Sequence, residues 1–323
     1  MEQETLAAQT LEAIGTDALY DESVKRLLAN KSILAVILKE CVPEFKHCTT
    51  REIAEQYIEG EPQIGEVGIA PDETNRSGEV IRGLNTEDAA LTEGSIRYDI
   101  RFYATAPGED GLIGLIINLE AQNRFSPGYP LLKRAIYYCS RMISAQYGTE
   151  FTKSEYGNIK KVYSIWICSN PPRDWRNTIT QYSIREEQIV GEAKEEVKNY
   201  DLMSAVMICL GEETDRNYGG LLKFLEVLLS DEKTAATKKT ILQNEFDVPM
   251  TQTLETEVYQ MCNLSQGAIE KGIQKGYGKG REEERIASVR NLMQNLHMTA
   301  EDAMKALNIP QEDRDRIKKA LAN

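Results

Sequence analysis

Histidine is scarce in this chain: His47 and His297 are the only two among 323 residues. A metal site built on several imidazoles, including the zinc-binding HExxH helix, is therefore excluded. The sequence also lacks a GxSxG elbow, a GxxxxGK[ST] phosphate loop and a GxGxxG motif after a strand, which excludes the usual serine-hydrolase, phosphate-loop and dinucleotide-binding arrangements. Any metal chemistry must then rest on carboxylates, which select hard ions such as Mg²⁺ or Mn²⁺.

Paired cysteines, long apolar runs and positive charge are also lacking. The six cysteines form no CxxC pair, which predicts reduced and mostly buried thiols rather than a disulfide framework or a zinc site. No apolar run approaches the roughly 20 residues of a membrane span, and the acidic N-terminus has no signal-peptide pattern. We therefore expect a cytoplasmic protein without a membrane partner. The net charge of −13 argues against nonspecific coating of nucleic acid, but it permits a local basic patch.

The hydrophobic content of 41% is enough for a sizeable core. Helical and strand-like patterns follow one another in the order helix, strand, strand, helix, strand, helices, which predicts an α/β fold with a mixed central sheet flanked by helices. Residues 60–94 are rich in Gly, Glu, Pro and Asn and predict an extended loop region. We expect one domain over residues 1–210 and a helical C-terminal region over 211–323, in which the glycines at 272–280 could form a hinge or a linker.

The segment SIRYDIRFYATAPGEDGLIGLIINLEAQ predicts two strands joined by a tight turn at Pro107–Gly111. On the first strand, Ile96–Tyr103, apolar and polar residues alternate, as expected when one face is buried. The second strand, Leu112–Leu119, is almost wholly apolar. That composition predicts a central strand that is buried on both faces.

Two carboxylates are placed opposite each other by this hairpin. The centre of the turn, between Glu109 and Asp110, is equally far from Asp99 and Glu120. An unbulged hairpin therefore sets Asp99 across from Glu120, with their Cβ atoms roughly 5 Å apart. Two carboxylates at that distance repel unless a positive charge lies between them, and a divalent metal ion is the natural occupant.

Further polar groups surround this pair in the sequence. The carbonyl of Ala121 offers another oxygen ligand, and Gln122 shares the strand face of Glu120, so that it could orient water or a phosphate. On the following helix, predicted over Tyr129–Tyr147, Arg134 is suited to contact a phosphate and Tyr138 lies one turn away. This set matches the needs of metal-dependent phosphodiester hydrolysis.

An aspartate, a hairpin and then Glu-x-Lys on the next strand form the signature of PD-(D/E)XK nucleases. The chain resembles the branch of PD-(D/E)XK nuclease family transposases, related to recombination-promoting nucleases, in which the lysine is commonly a glutamine. The resemblance covers roughly residues 80–170 and is carried by four stretches: LNTEDAALTEGSIRYDIRF, LIINLEAQ, YPLLKRAIYYCSRMISAQYG and KKVYSIWIC.

The resemblance implies a restriction-endonuclease-like core, Mg²⁺-dependent (or Mn²⁺-dependent) DNA cleavage, and a role in mobile elements or genome defence. Carried over by position, Asp99 and Glu120 are the metal ligands and Gln122 replaces the lysine. Some of these nucleases use a further glutamate on the first helix. Glu40 is the first candidate for that additional acid, and Glu44 is the second.

Structural explanations stay open for several of these residues. Asp99 lies between Arg97 and Arg101 in the sequence and could form cross-strand ion pairs, and Gln122 could cap the loop that follows it. Three others could be ordinary packing or surface residues: Arg134, Tyr138 and Glu40.

Because a neutral amide cannot supply the charge of a lysine, an alternative function is also open. The chain could be a catalytically weak or inactive nuclease-fold protein that binds nucleic acid or a protein partner. The two helices around Asn308–Pro310 are too acidic for major-groove binding and predict packing or assembly. DNA is the partner that the resemblance implies, and a homo-oligomer remains an open alternative.

Overall fold

The computed structural model describes residues 18–65, 87–90, 94–108 and 111–321. The predictions made for the N-terminal 17 residues, for most of the 60–94 loop and for the turn at Glu109 and Asp110 therefore lie outside the described residues. Two compact units make up the chain, residues 1–263 and residues 264–323. In the described part of the chain, no helix has both the length and the apolar character that crossing a membrane requires.

The helices of the described chain are α1 (residues 18–28), α2 (Lys31–Cys41), α3 (Thr50–Glu52, followed by a π-helical turn at Ile53–Tyr57), α4 (Leu131–Ser144), α5 (Val197–Tyr200), α6 (Gly220–Leu229), α7 (Ala235–Phe246), α8 (Gln252–Leu296), α9 (Ala300–Ala306) and α10 (Gln311–Leu321). Local sequence explains where two of these helices begin. The Asn30 side chain accepts a hydrogen bond from the Ser32 amide at the start of α2, and Thr49 and Glu52 form a capping box at α3.

The strands are β1 (Gln63–Ile64), β2 (Glu87–Ala90), β3 (Gly94–Arg97), β4 (Ile100–Gly108), β5 (Gly111–Gln122), β6 (Lys161–Cys168), β7 (Thr178–Ser183) and β8 (Met203–Cys209). Six of them form one sheet in the order β1-β4-β5-β6-β8-β7, while β2 and β3 pair separately. The β5–β6 and β6–β8 pairs are parallel and the other pairs of the large sheet are antiparallel. The predicted α/β class with a mixed sheet flanked by helices is therefore confirmed.

Alternate residues of β5 enter two separate hydrophobic clusters, as expected for a strand buried on both faces. Leu115, Ile117 and Leu119 pack with α1, α2 and α6, whereas Ile116 packs beneath α4. The sheet is thus the middle layer between α4 on one face and α1, α2 and α6 on the opposite face.

The register of the β4–β5 hairpin is the predicted one. Ile100 lies opposite Leu119, and the pairing continues without a bulge to Gly108 opposite Gly111. The first strand, however, is not continuous from residue 96 as predicted. It breaks before β4 because Tyr98 turns into the cluster beneath α4, on the face opposite to that of Ile100, where its ring meets the edge of Tyr138.

The boundary between the compact units falls later in the chain than the expected domain boundary at residue 210. Side chains of α6, such as Phe224 and Leu228, belong to the same buried cluster as the sheet, so this helix completes the first unit. The glycines at 272–280, expected as a hinge, lie within the backbone of the single helix α8. In the second unit, Val289, Met304 and Ile317 form a small core of their own.

Candidate active site

Asp99 and Glu120 meet at the point where β4 begins and β5 ends. The Asp99 N–H donates a hydrogen bond to Glu120 Oε1 at 3.1 Å. In return, Asp99 Oδ2 accepts a hydrogen bond of 3.0 Å from the backbone N–H of Ala121. Each carboxylate is thereby fixed by a backbone group beside the other, because the unbulged hairpin sets the two residues side by side.

The Ala121 backbone faces the same side as the two carboxylates. Its N–H reaches Asp99, whereas the carbonyl of the next residue, Gln122, accepts from the Ser169 N–H on the β6 side. Because the N–H and C=O of one strand residue point to the same neighbour, the Ala121 carbonyl also faces the Asp99 side. Two carboxylates and one carbonyl, the oxygen donors that Mg²⁺ and Mn²⁺ prefer, therefore lie on the same side of the end of β5.

Lys25, which sequence reasoning missed, supplies a positive charge to this site. Its Nζ lies 2.9 Å from Asp99 Oδ1 and 2.7 Å from Asp21 Oδ2, one turn earlier on α1. Only 10% of the Lys25 side chain is exposed, against 20% for Asp99. Burial lowers the pKa of Lys25, but the neighbouring charge of Asp99 and contacts with Asp21 outweigh this effect and raise it overall, so the lysine is held in its charged form.

Arg134 and Tyr138 lie beside Glu120. They are one turn apart on α4, as the sequence predicted. Arg134 Nη2 is 3.9 Å from Glu120 Oε2 and donates a hydrogen bond of 2.6 Å to the Tyr138 hydroxyl. The guanidinium also stacks over the ring of Trp166, 5.2 Å from its centroid. Since 31% of the Arg134 side chain is exposed, the guanidinium can reach an anionic ligand while it packs against the rings of Tyr138 and Trp166.

The Glu120 carboxyl holds its proton far more strongly than an exposed glutamate. Burial raises its pKa most, and the Asp99 charge raises it further, to about 8, despite the hydrogen bond from the Asp99 backbone and the charge of Arg134. Burial also raises the pKa of Asp99, while the Lys25 charge opposes this rise. Two adjacent carboxyls in a dry site do not ionise together easily, so a proton stays on Glu120 at neutral pH.

A polar group beneath the pair was also missed by sequence reasoning. Asn118 lies two residues before Glu120 on the same strand face and donates to the Ser164 hydroxyl at 3.1 Å, which also accepts from the Trp166 indole N–H at 2.8 Å. Asn118 and Ser164 are fully buried. The sequence did contain a signal for Asn118, since it is a polar residue within an apolar strand and lies two positions before Glu120, on the same face.

The other residues predicted for the site make contacts elsewhere or are exposed. The Gln122 amide donates to the Arg124 carbonyl at 2.7 Å and so spans the loop that follows β5. Glu40 is exposed on α2. Glu44 instead accepts hydrogen bonds from Lys161 and from the Tyr163 hydroxyl. Within the ranges that the structure describes, no three His, Cys, Asp or Glu side chains form a group that could hold a metal ion.

The alternative ion pairing of Asp99 takes a different form from the one expected. Its salt bridge is to Lys25 of α1, and Arg101 places its guanidinium over the Tyr98 ring, 4.9 Å from the centroid. Arg101 is buried rather than exposed on a polar strand face. A distant helix, α1, therefore supplies a charge that balances Asp99.

No protein-family model, no curated protein and no solved structure matches the chain. The resemblance to PD-(D/E)XK nuclease family transposases therefore stays a prediction that rests on the residues quoted above.

Proposed function

We propose that this protein is a Mg²⁺- or Mn²⁺-dependent DNA endonuclease with a restriction-endonuclease-like core, and that Asp99 and Glu120 hold the metal ion. The observation that carries the proposal is the mutual backbone anchoring of the two carboxylates, with Ala121 beside them. A setting in mobile elements or recombination follows from the family resemblance alone.

Asp99, Glu120 and the Ala121 carbonyl are the groups that would hold the metal ion. A bound Mg²⁺ would polarise the scissile phosphate and lower the pKa of an attacking water. Lys25 stabilises the ionised form of Asp99 and so opposes the rise in pKa that burial causes. Glu120 must release its proton before it can act as a ligand, and Arg134 favours that release by stabilising the carboxylate.

Lys25 takes the electrostatic role that Gln122 cannot fill. In the family signature a lysine stands two residues after the glutamate, whereas here a neutral amide stands there and is bonded to the Arg124 carbonyl. The Lys25 ammonium instead reaches the site from α1, within hydrogen-bond distance of Asp99. It can stabilise negative charge that develops on the phosphate, as preorganised donors do in other active sites.

Arg134 is suited to position the DNA backbone. Its guanidinium is held by the Tyr138 hydroxyl and by Trp166, and a planar guanidinium matches phosphate geometry. Phosphate contacts of this kind orient a duplex without reading its sequence. A local cation of this kind is compatible with a chain of net charge −13.

Nicking of a supercoiled plasmid in the presence of Mg²⁺ or Mn²⁺ tests the proposal. The wild type should cleave, EDTA should stop the reaction, and Asp99→Asn and Glu120→Gln should each lower the rate by at least about a hundredfold. Asp201→Asn is a matched control, because Asp201 is 24% exposed and also pairs with a lysine, Lys161. Equal cleavage by the wild type and Asp99→Asn would contradict the proposal.

A second candidate function is binding of nucleic acid or a protein partner without cleavage. The observation that favours it is the Lys25–Asp99 ion pair, which compensates the Asp99 charge without any metal ion. Metal binding and DNA cleavage, measured together, distinguish the two candidates. Asp99-dependent binding of Mn²⁺ together with DNA cleavage supports the nuclease, whereas DNA binding that neither needs nor accompanies metal binding supports the second candidate.

A further inference from the structure

Two cysteines end neighbouring strands of the sheet. Cys168 is the last residue of β6, Cys209 is the last residue of β8, and the two are directly paired in the parallel ladder. Both are free thiols and fully buried in the cluster beneath α4. Adjacent strands lie about 4.8 Å apart, and the Cα atoms of a disulfide are usually about 4.4–6.8 Å apart. The backbone spacing therefore suits a disulfide.

The two thiols already interact, and they are not equivalent. The Cys168 thiol hydrogen-bonds the Cys209 sulfur, which lowers the pKa of Cys209; the Thr178 side chain on β7 adds to this effect, and burial opposes it. The same hydrogen bond is the largest cause of a raised pKa at Cys168. Each thiol therefore changes the ionisation of the other.

We propose that Cys168 and Cys209 form a redox modification site, at which a peroxide converts the two thiols into an intramolecular disulfide between β6 and β8. One of the two sulfurs attacks an oxygen of hydrogen peroxide, the O–O bond breaks, and a sulfenic acid and one water are formed. The other sulfur then attacks the sulfur of the sulfenic acid, the S–O bond breaks, and a second water leaves. The thiols lose two electrons and the peroxide gains them.

The pair lies next to the candidate active site. Cys168 is the ladder partner of Gln122, and Trp166, two residues earlier on the same strand face, is the partner of Glu120. Formation of the disulfide itself does not depend on the proposed nuclease function.

Thiol counting and peptide mapping after oxidation test the inference. The reduced full-length protein is exposed to hydrogen peroxide over a time course, then unfolded and alkylated for mass spectrometry. Alkylated cysteines should fall from six to four, a single cross-linked peptide pair should contain Cys168 and Cys209, and dithiothreitol should restore all six.

Variants make the assignment specific. Cys168→Ser and Cys209→Ser should each abolish the cross-link, while Cys139→Ser, a change in the same buried cluster, should leave it intact. Circular dichroism checks that each variant is folded. The peptide map of the oxidised wild type tests the inference even if a variant does not fold. Six alkylated cysteines after peroxide treatment, a cross-link between other cysteines, or oxygen addition without a cross-link would each overturn the inference.

Discussion

At the scale of single residues, Glu120 is a group in the site whose ionisation opposes folding. Its pKa is raised to about 8, mainly by burial and then by the charge of Asp99, whereas an unfolded glutamate titrates near 4.3. A group whose pKa is raised in this way contributes stability that is fully present below the unfolded pKa. That contribution is lost as the pH rises through the folded pKa.

We therefore expect Glu120→Gln to gain stability relative to the wild type as the pH rises from 5 to 9. One pKa unit corresponds to about 1.4 kcal/mol, so the relative gain should be on the order of a few kcal/mol. Urea unfolding at several pH values measures it. Glu187→Gln, at an exposed position, is the control and should show no such trend. A difference between wild type and Glu120→Gln that is independent of pH would contradict the assignment.

Lys25 and Asp99 should depend on each other for their effect on stability. Removal of one partner leaves a largely buried charge uncompensated, so Lys25→Met should lower the free energy of unfolding by about 2 kcal/mol. In the double variant Lys25→Met, Asp99→Asn, the loss should be smaller than the sum of the two single losses by at least about 1 kcal/mol. Additive losses in urea unfolding would show that the contact does not couple the two residues.

At the scale of secondary-structure elements, the hairpin shows what the sequence alone could predict. Alternating polarity and a short turn set the register of β4 and β5, and that register brings Asp99 to Glu120. The break before β4 was not predictable in the same way, because Tyr98 leaves the strand to pack against Tyr138 of α4. Such a contact belongs to tertiary packing and has no local signal.

The contribution of α1 to the site was equally hidden from sequence reasoning. Lys25 and Asp99 are far apart in the chain, and only packing of α1 against α2 and the sheet brings them together. By contrast, the contact between Arg134 and Tyr138 follows from helical spacing, because the two residues lie one turn apart on α4. The sequence thus predicts neighbours within an element or across one turn, and it misses charges that arrive from distant elements.

The end of β1 holds the Asp99 backbone by a close approach that only glycine allows. The Gly65 N–H donates to the Asp99 carbonyl at 2.8 Å, and a Cβ at Gly65 would lie 2.3 Å from the Tyr98 carbonyl oxygen. Gly65→Ala should therefore push β1 away from the start of β4. Since the atoms that this Cβ would meet belong to the backbone of Tyr98, the clash cannot be relieved by a side-chain rotation.

We expect Gly65→Ala to lower the free energy of unfolding by about 2 kcal/mol, through this overpacking. Gly157→Ala is the matched control, because a Cβ at Gly157 meets no atom within 4 Å, and it should change stability by less than about 0.5 kcal/mol. Urea unfolding of the two variants beside the wild type checks the prediction. Equal stability of the two variants would contradict it.

At the scale of the whole molecule, the chain consists of two compact units, each with its own buried cluster. The candidate active site belongs entirely to the first unit. Its two carboxylates lie where the central sheet meets α1 on one side and α4 on the other. The helices of the second unit are held by a core that includes Met304 and Ile309.

Met304→Ala should loosen the second unit without affecting the sheet. The Met304 side chain is fully buried, and truncation of such a residue typically costs about 2–5 kcal/mol. Hydrogen exchange read by mass spectrometry should show lost protection in α9 and α10 and unchanged protection in β5 and β6. Equal loss of protection in both regions would indicate a single cooperative unit.

The most direct test of the central claim is a calorimetric titration of the metal-free protein with Mn²⁺ at pH 7, in two buffers with different ionisation enthalpies. The wild type should bind with release of about one proton per metal ion, because Glu120 has a pKa of about 8 and must ionise to become a ligand. Asp99→Asn should abolish this binding, and the matched control Asp201→Asn should retain it. Absence of Mn²⁺ binding by the wild type, or equal binding by Asp99→Asn, would contradict the assignment of this pair as a metal site.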